Sequence, residues 1–93
     1  MKYEIQVIPL DDWTFQVDVA GVRSTRHRVK TDPDYYRKLT SGHISAAELV
    51  ERSFRFLLAR ESNSSVLPSF DLKVIGRYFP EYEKEISAEG NHT

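Results

Sequence analysis

Polar and apolar residues alternate along three stretches in the first third of the chain, which is the pattern of half-buried β-strands. The first stretch runs from Lys2 to Ile8 and the second from Trp13 to Val19, with turn residues at Pro9–Asp12 between them. The third, Arg23 to Thr31, follows a second turn at Ala20–Val22. This spacing predicts an antiparallel sheet of three strands joined by two hairpins.

The length of the two connecting loops decides which side chains share a face of this sheet. If both loops hold an odd number of residues, Val7 lies opposite Phe15 and Phe15 lies opposite His27, on one apolar face. An even loop would bury Arg26 beneath the sheet, so we predict odd loops or a bulge. The opposite, polar face then carries Glu4, Gln6, Gln16, Asp18, Arg26, Arg28 and Lys30.

Helical patterns follow the predicted sheet. Asp32-Pro33-Asp34 places a proline in the first turn of a short helix and acids at its positive end, and Ser41-Gly42 ends that helix. Ser45 and Glu48 form a capping box ahead of an apolar-periodic stretch. The capping box predicts a second, longer helix that ends at about Arg60.

The segment 66–80 fits two patterns. For a helix, Ser69 is a suitable N-cap and apolar residues recur on one face; for a strand, the apolar residues of 70–74 alternate, and Gly76 weakens a helix. We favour the helix. A last helical turn or two is predicted over 81–86, because Pro80 suits a helix start.

These elements predict the fold class α+β, with a three-stranded antiparallel sheet followed by two or three helices packed on one face. Ninety-three residues with 40% hydrophobic content are enough for one domain. We expect that domain to occupy residues 1–88 and residues 89–93 to form a disordered tail.

Composition narrows the class of protein further. The chain has no cysteine, which excludes a disulfide framework and a thiolate zinc site. The residues from Met1 onward alternate and lack the apolar run of a signal peptide or membrane span, so we expect a cytoplasmic protein with no membrane partner. A net charge of −1 predicts no strong overall attraction to nucleic acid.

The short motifs of common enzyme classes, such as the Walker loop, the dinucleotide glycine pattern and HExxH, are missing from the sequence. We therefore expect no catalytic residue, no metal and no cofactor, and we favour a non-enzymatic role. His27 lies on the predicted buried face, where its ring needs a hydrogen-bond partner from backbone or tyrosine. The alternative is a general base oriented by Asp32 or Asp34.

A row of cations on the third strand is the candidate surface for nucleic-acid or partner contacts. Alternate residues of a strand lie about 6.6 Å apart on one face, close to the phosphate spacing of an extended nucleic-acid strand. The ordinary alternative is a solvent face whose cations pair with acids such as Glu4 and Asp18. The candidate residues are Arg23, Arg26, Arg28 and Lys30.

Aromatic residues in the second half of the chain also allow two interpretations. They cover a small core with their hydroxyl groups in water, or they line a ligand groove. The residues are Tyr35, Tyr36, Tyr78, Phe79 and Tyr82.

Sequence resemblance gives one further expectation. The stretch from Ser45 to Ile86, which includes Phe54-Arg55-Phe56-Leu57-Leu58 and Arg77-Tyr78-Phe79-Pro80-Glu81, resembles a set of small, uncharacterised bacterial proteins. In layout, the Met1-Lys2-Tyr3 strand, its hairpin and the later helix resemble the HicB-type antitoxin domain, a fold that masks an RNA-cleaving toxin. The resemblance implies a protein partner.

Together these patterns favour a small binding or adaptor module whose partner is another protein or a second copy of the chain. The alternative is a weak RNA binder, or an antitoxin-like protein, that uses the basic strand.

Overall fold

A hairpin sheet forms the first part of the fold in a computed structural model that describes residues 3–90 of the chain. Strands β1 (Glu4–Pro9), β2 (Thr14–Ala20) and β3 (Thr25–Lys30) pair antiparallel in chain order. Val17 lies opposite both Val7 and His27, so the predicted register is wrong by two residues in both hairpins. The predicted parity is right, because an even offset keeps the same side chains on each face.

The turn between β1 and β2 explains part of this offset. The side chain of Asp11 accepts a hydrogen bond from the amide of Trp13 at 2.9 Å, and the amide of Leu10 donates to the carbonyl of Thr14 at 2.9 Å. This Asx-type turn occupies residues 10–13, one position later in the chain than the predicted turn at 9–12. Strand β2 therefore begins at Thr14 instead of Trp13.

The prediction of a three-stranded, wholly antiparallel sheet is wrong, because a fourth strand extends the sheet. Strand β4 (Ser69–Asp71) pairs in parallel with β3, which gives a mixed sheet of order β1-β2-β3-β4. The amide of Arg28 donates to the carbonyl of Pro68 at 2.8 Å just before β4 begins. The backbone groups at the edge of β3 need hydrogen-bond partners, and this need outweighs the helical pattern of the segment.

The segment 66–80 is therefore not the single helix that we favoured. After β4, a 3-10 turn (Leu72–Val74) leads directly into a four-residue helix, Ile75–Tyr78. Asp71, and not Ser69, caps this turn, since its side chain accepts a hydrogen bond from the amide of Lys73 at 3.0 Å. The strand pattern is thus correct for Ser69–Asp71, and the helical pattern is correct for the residues that follow, 72–78.

Helices α1 (Pro33–Thr40) and α2 (Ala46–Leu58) begin and end where their local signals predict. Asp32 caps α1, and Ser41 ends it in the left-handed conformation, with φ of 53°. At α2, the Ser45 hydroxyl accepts from the amide of Glu48 at 3.1 Å. The Glu48 carboxylate instead pairs with Arg52 at 2.6 Å, so the structure shows one half of the predicted capping box.

Within residues 3–90, the helices number four, not the predicted two or three: α1, α2, α3 (Ile75–Tyr78) and α4 (Tyr82–Gly90). Helix α4 is longer than the predicted 81–86 and overlaps the start of the predicted disordered tail, 89–93. The last three residues of that tail lie outside the described residues. A 3-10 turn, Asn63–Ser65, connects α2 with the segment that leads into β4.

The core lies between the helices and one face of the sheet, which makes the chain a small, compact α+β domain. Phe15, Val17, Val19 and Val29 are buried on that face and pack against apolar residues of the four helices. The opposite face keeps its charged residues exposed or half-exposed, as predicted. A radius of gyration of 12.3 Å fits a single domain of this length.

Candidate binding groove

An apolar groove opens beside β4, between the end of α2 and helix α3. Its volume is about 370 Å³, within the size range of ligand pockets in proteins. Each wall comes from a different element: the end of α2, the turn before β4, β4 itself, and the turn and helix after it. The lining residues are Leu57, Glu61, Ser65, Val66, Leu67, Phe70, Val74, Ile75, Tyr78 and Phe79.

The floor and the rim of the groove differ in exposure. Leu57, Val66 and Ile75 form the floor and are buried. Leu67 and Tyr78 form the rim, with exposed fractions of 45% and 68%. The large apolar side chains on the rim extend the apolar surface beyond the groove itself. Exposed apolar surface of this kind is typical of interaction sites.

Buried aromatic rings pack against two further lining residues of the groove, Phe70 and Phe79. Phe54 is fully buried and lies with its ring centroid 5.9 Å from that of Phe70. Phe56 contacts Phe79 edge-on, with 5.8 Å between centroids, and also Tyr82 at 5.2 Å. These contacts hold two lining residues, Phe70 and Phe79, in fixed positions because interior side chains pack at high density.

A chain of hydrogen bonds attaches the turn before β4 to the sheet. His27 is 2% exposed, and its Nδ1 lies 2.7 Å from the carbonyl of Leu67 while its Nε2 lies 2.9 Å from the Thr25 hydroxyl. Asn63, also buried, donates to the carbonyl of Arg23 at 2.6 Å and to the Thr25 hydroxyl at 3.0 Å. The wall that carries Leu67 is therefore fixed to β3.

The network defines the tautomer of His27. A backbone carbonyl only accepts, so Nδ1 carries the proton, and in the neutral ring Nε2 then accepts from the Thr25 hydroxyl. Asp32, proposed from sequence as an orienting acid, instead caps α1 and pairs with Lys73 at 2.7 Å. His27 is held by a backbone carbonyl, which is one of the two partners predicted from the sequence. Its other partner is the threonine hydroxyl, not a tyrosine.

The aromatic residues predicted as core cover or groove lining divide between groove and core, but the hydroxyl groups of Tyr35, Tyr36 and Tyr82 bond to protein groups instead of lying in water as predicted. Tyr78 and Phe79 line the groove. Tyr35 and Tyr82 are buried, and their hydroxyl groups bond to Glu83 at 2.8 Å and to Ser53 at 2.6 Å. Burial raises the pKa of both phenols well above the usual range, so these hydroxyl groups stay protonated.

The basic residues lie on the uncovered face of the sheet and at its β2–β3 turn, and all four are exposed. Arg26 pairs with Asp18 across the strands, with 2.9 Å between Nε and Oδ1. Arg28 and Lys30 border a shallow depression of about 190 Å³ with Ser69 and Asp71 of β4. Arg28 and Lys30 thus differ from Arg26, because the charge of Arg26 is already paired with Asp18.

Over residues 3–90, no group of three or more histidine, aspartate or glutamate side chains is placed to hold a metal ion. In the same range, the helices are too short or too polar to cross a membrane.

No significant match to the chain was found in comparisons with protein-family models, curated proteins and solved structures. The functional proposals below therefore depend on the geometry of the groove and of the uncovered sheet face.

Of the lining residues, only Tyr78 and Phe79 were named from the sequence as groove residues, in one of two interpretations, because the other walls come from segments whose contacts are not local. The polar run 61–65 has a composition typical of a surface loop, yet Asn63 is buried and donates to the hydroxyl of Thr25 in β3. Asn63 itself was the one signal in the sequence for such a contact, because asparagine is common in turns and its side chain can both donate and accept hydrogen bonds.

Proposed function

We propose that the chain is a non-enzymatic binding module that holds a segment of a partner protein in the apolar groove. The observation that carries this proposal is the combination of a buried apolar floor with the exposed rim residues Leu67 and Tyr78. Tyrosine is one of the residue types that contribute most of the binding free energy in many protein interfaces.

A protein segment fits the groove better than a small molecule does. A ligand confined to about 370 Å³ would leave much of Tyr78, which is 68% exposed, in water. A polypeptide can fill the groove and also cover the rim. The lining is mainly aliphatic and aromatic, with Glu61 as the one ionisable carboxylate among the described lining residues. This composition supports binding over acid–base chemistry.

Site-directed photocrosslinking in lysate of the source cells tests the proposal. With benzoylphenylalanine in place of Tyr78, we expect crosslinks to one partner protein or to a second copy, identified by mass spectrometry. The substitution Leu67→Glu should remove these crosslinks, because a carboxylate on the rim would lose its hydration when the partner covers it.

Leu10 provides a matched control, since it is also 45% exposed but lies in the β1–β2 turn and does not line the groove. Leu10→Glu should leave the crosslinks from position 78 unchanged. Crosslinks that survive Leu67→Glu, or that Leu10→Glu removes equally, would contradict the proposal. An RNA-cleaving toxin of the kind that HicB-type antitoxins mask would be one example of such a partner.

The second candidate function is weak RNA binding by the uncovered face of the sheet. It is favoured by Arg28 and Lys30, which are exposed and form no ion pair with other residues of the described range 3–90. Binding through such cations should weaken steeply as salt rises. In a gel-shift titration with single-stranded RNA, the double variant Arg28→Glu/Lys30→Glu should lose binding, whereas Arg37→Glu on α1 should retain it. Equal binding by both variants would exclude this function.

A further inference from the structure

The groove contains a charged group that has no counter-ion among residues 3–90. Glu61 follows the last turn of α2, and its amide donates to the carbonyl of Leu57 at 2.9 Å. The residue is half-buried and contributes to the lining of the groove. Its carboxylate forms neither an ion pair nor a hydrogen bond with the other described residues. The groove is therefore apolar except for one negative charge, at Glu61.

The neighbouring cation does not neutralise Glu61. Arg60 lies within 3.2 Å of the carboxylates of both Glu81 and Glu85. Its guanidinium group also stacks on the ring of Phe56, 3.6 Å from the centroid, and donates to the Phe56 carbonyl at 3.0 Å. One arginine thus serves two carboxylates on the α4 side and leaves the charge of Glu61 uncompensated.

The end of helix α2 adds to the negative potential at this position. The last carbonyl groups of a helix carry partial negative charge, and cations are stabilised beside them. Glu61 lies just beyond this helix end, in contact with the backbone of its last turn. Because Arg60 already donates to the Phe56 carbonyl of this last turn, the Glu61 carboxylate is the main group that favours a positive charge at this end of the groove.

We infer that the groove selects a basic apolar segment: a large apolar side chain of the partner packs against Leu67 and Tyr78, and a lysine or arginine next to it pairs with Glu61. This inference depends on the proposed function and specifies the chemistry of its partner. Any occupant that covers Glu61 removes water from its carboxylate, which is unfavourable unless a cation replaces that water. The groove consequently discriminates against neutral and acidic segments.

Three blocked tripeptides test the inference: phenylalanine–lysine–leucine and the same peptide with glutamine or glutamate in the centre. NMR titration of the full chain follows the methyl groups of Leu67, Val66 and Ile75. We expect the lysine peptide to bind about three- to tenfold more tightly than the glutamine peptide, with the glutamate peptide weakest. The preference should decrease at high salt.

The variant Glu61→Gln should bind the lysine and glutamine peptides equally. Glu4→Gln is the matched control, because it removes the same charge from the uncovered sheet face and should keep the lysine preference. If the peptides shift the groove signals without any lysine preference, or if the preference survives Glu61→Gln, the inference is wrong and the groove still binds peptides. If no peptide shifts the groove signals, both the inference and the groove as a peptide site are overturned.

Discussion

His27 holds the carbonyl of Leu67 at 2.7 Å, although the two residues are 40 positions apart in the sequence. One ring nitrogen of this histidine thus reaches from the centre of the sheet to the rim of the groove. The other nitrogen is satisfied by Thr25, and Phe54 packs against the ring with 5.3 Å between centroids. The position of a groove residue is therefore determined by a buried polar side chain outside the groove lining.

Replacing His27 with leucine should destabilise the fold and weaken groove binding together. The change leaves the Leu67 carbonyl without the donor from His27, and an unsatisfied buried group costs about 1–3 kcal/mol, whereas the Thr25 hydroxyl keeps its hydrogen bond from Asn63. Urea unfolding at neutral pH should show a lower free energy of unfolding. His27→Gln, which keeps a donor and an acceptor, should recover part of the loss. Equal stability of His27→Leu and the parent chain would show that the network contributes nothing.

Tyr82 and Ser53 form the second buried polar contact, between α4 and α2, with 2.6 Å between hydroxyl oxygens. The Ser53 hydroxyl donates to the Leu49 carbonyl, so Tyr82 is the donor in this pair. Tyr82→Phe should lower the free energy of unfolding by about 0.5–1.5 kcal/mol, since Ser53 keeps another partner.

Ser53→Ala should be the more harmful change, at about 1–3 kcal/mol, because it leaves the buried phenol with no acceptor. The double variant should be less unstable than the sum of the two single variants. Denaturant unfolding of all four proteins measures this coupling. Strict additivity would indicate that the two hydroxyl groups do not interact.

Asp32 should give the stability of the domain an acid-sensitive component. Its hydrogen bond with Lys73, and then that with the amide of Tyr35, lowers the pKa of Asp32 below the usual range. A carboxyl group with a lowered pKa in the folded state stabilises the fold fully above its unfolded pKa. That contribution is lost as the pH falls through the folded pKa. Asp32→Asn removes the charge but retains an oxygen that can cap α1.

Urea midpoints measured as the pH is lowered from neutrality test this expectation. The parent chain should exceed Asp32→Asn in stability at neutral pH, and the difference should vanish in strong acid. Asp34→Asn is the control, because the Asp34 side chain is fully exposed and its ion pair with Arg37 is long, at 4.0 Å. A difference between Asp32→Asn and the parent chain that does not change with pH would contradict the assignment.

Elements governed by local signals were predictable from the sequence. The side chains of Asp32 and Ser45 each cap a helix by accepting a hydrogen bond from the amide three residues later. Ser41 and Gly42 adopt the left-handed conformation at the end of α1. The faces of β1, β2 and β3 follow from alternation alone. Their register was not predictable, because a two-residue shift keeps every side chain on its face and changes only its opposite partner.

Strand β4 and most of the groove were not predictable, because the contacts that decide them are distant in sequence. Whether Ser69–Asp71 is strand or helix depends on the free edge of β3, which no window around residue 70 contains. Glu61 is half-buried beside apolar residues that follow it by up to eighteen positions, yet its sequence neighbours are polar. By contrast, the cross-strand pair of Arg26 with Asp18 was foreseen, because alternation placed both on one face.

The parallel pairing of β4 with β3 also bears on how the domain folds. Hairpins β1–β2 and β2–β3 close short loops, whereas β4 joins the sheet only after α1 and α2 have been accommodated in between. Closing a long loop costs more chain entropy and slows folding, so the wall beside the groove is expected to assemble late. A ligand that binds only the assembled wall shifts the folding equilibrium toward the native state, and recognition at the groove thereby stabilises the whole domain.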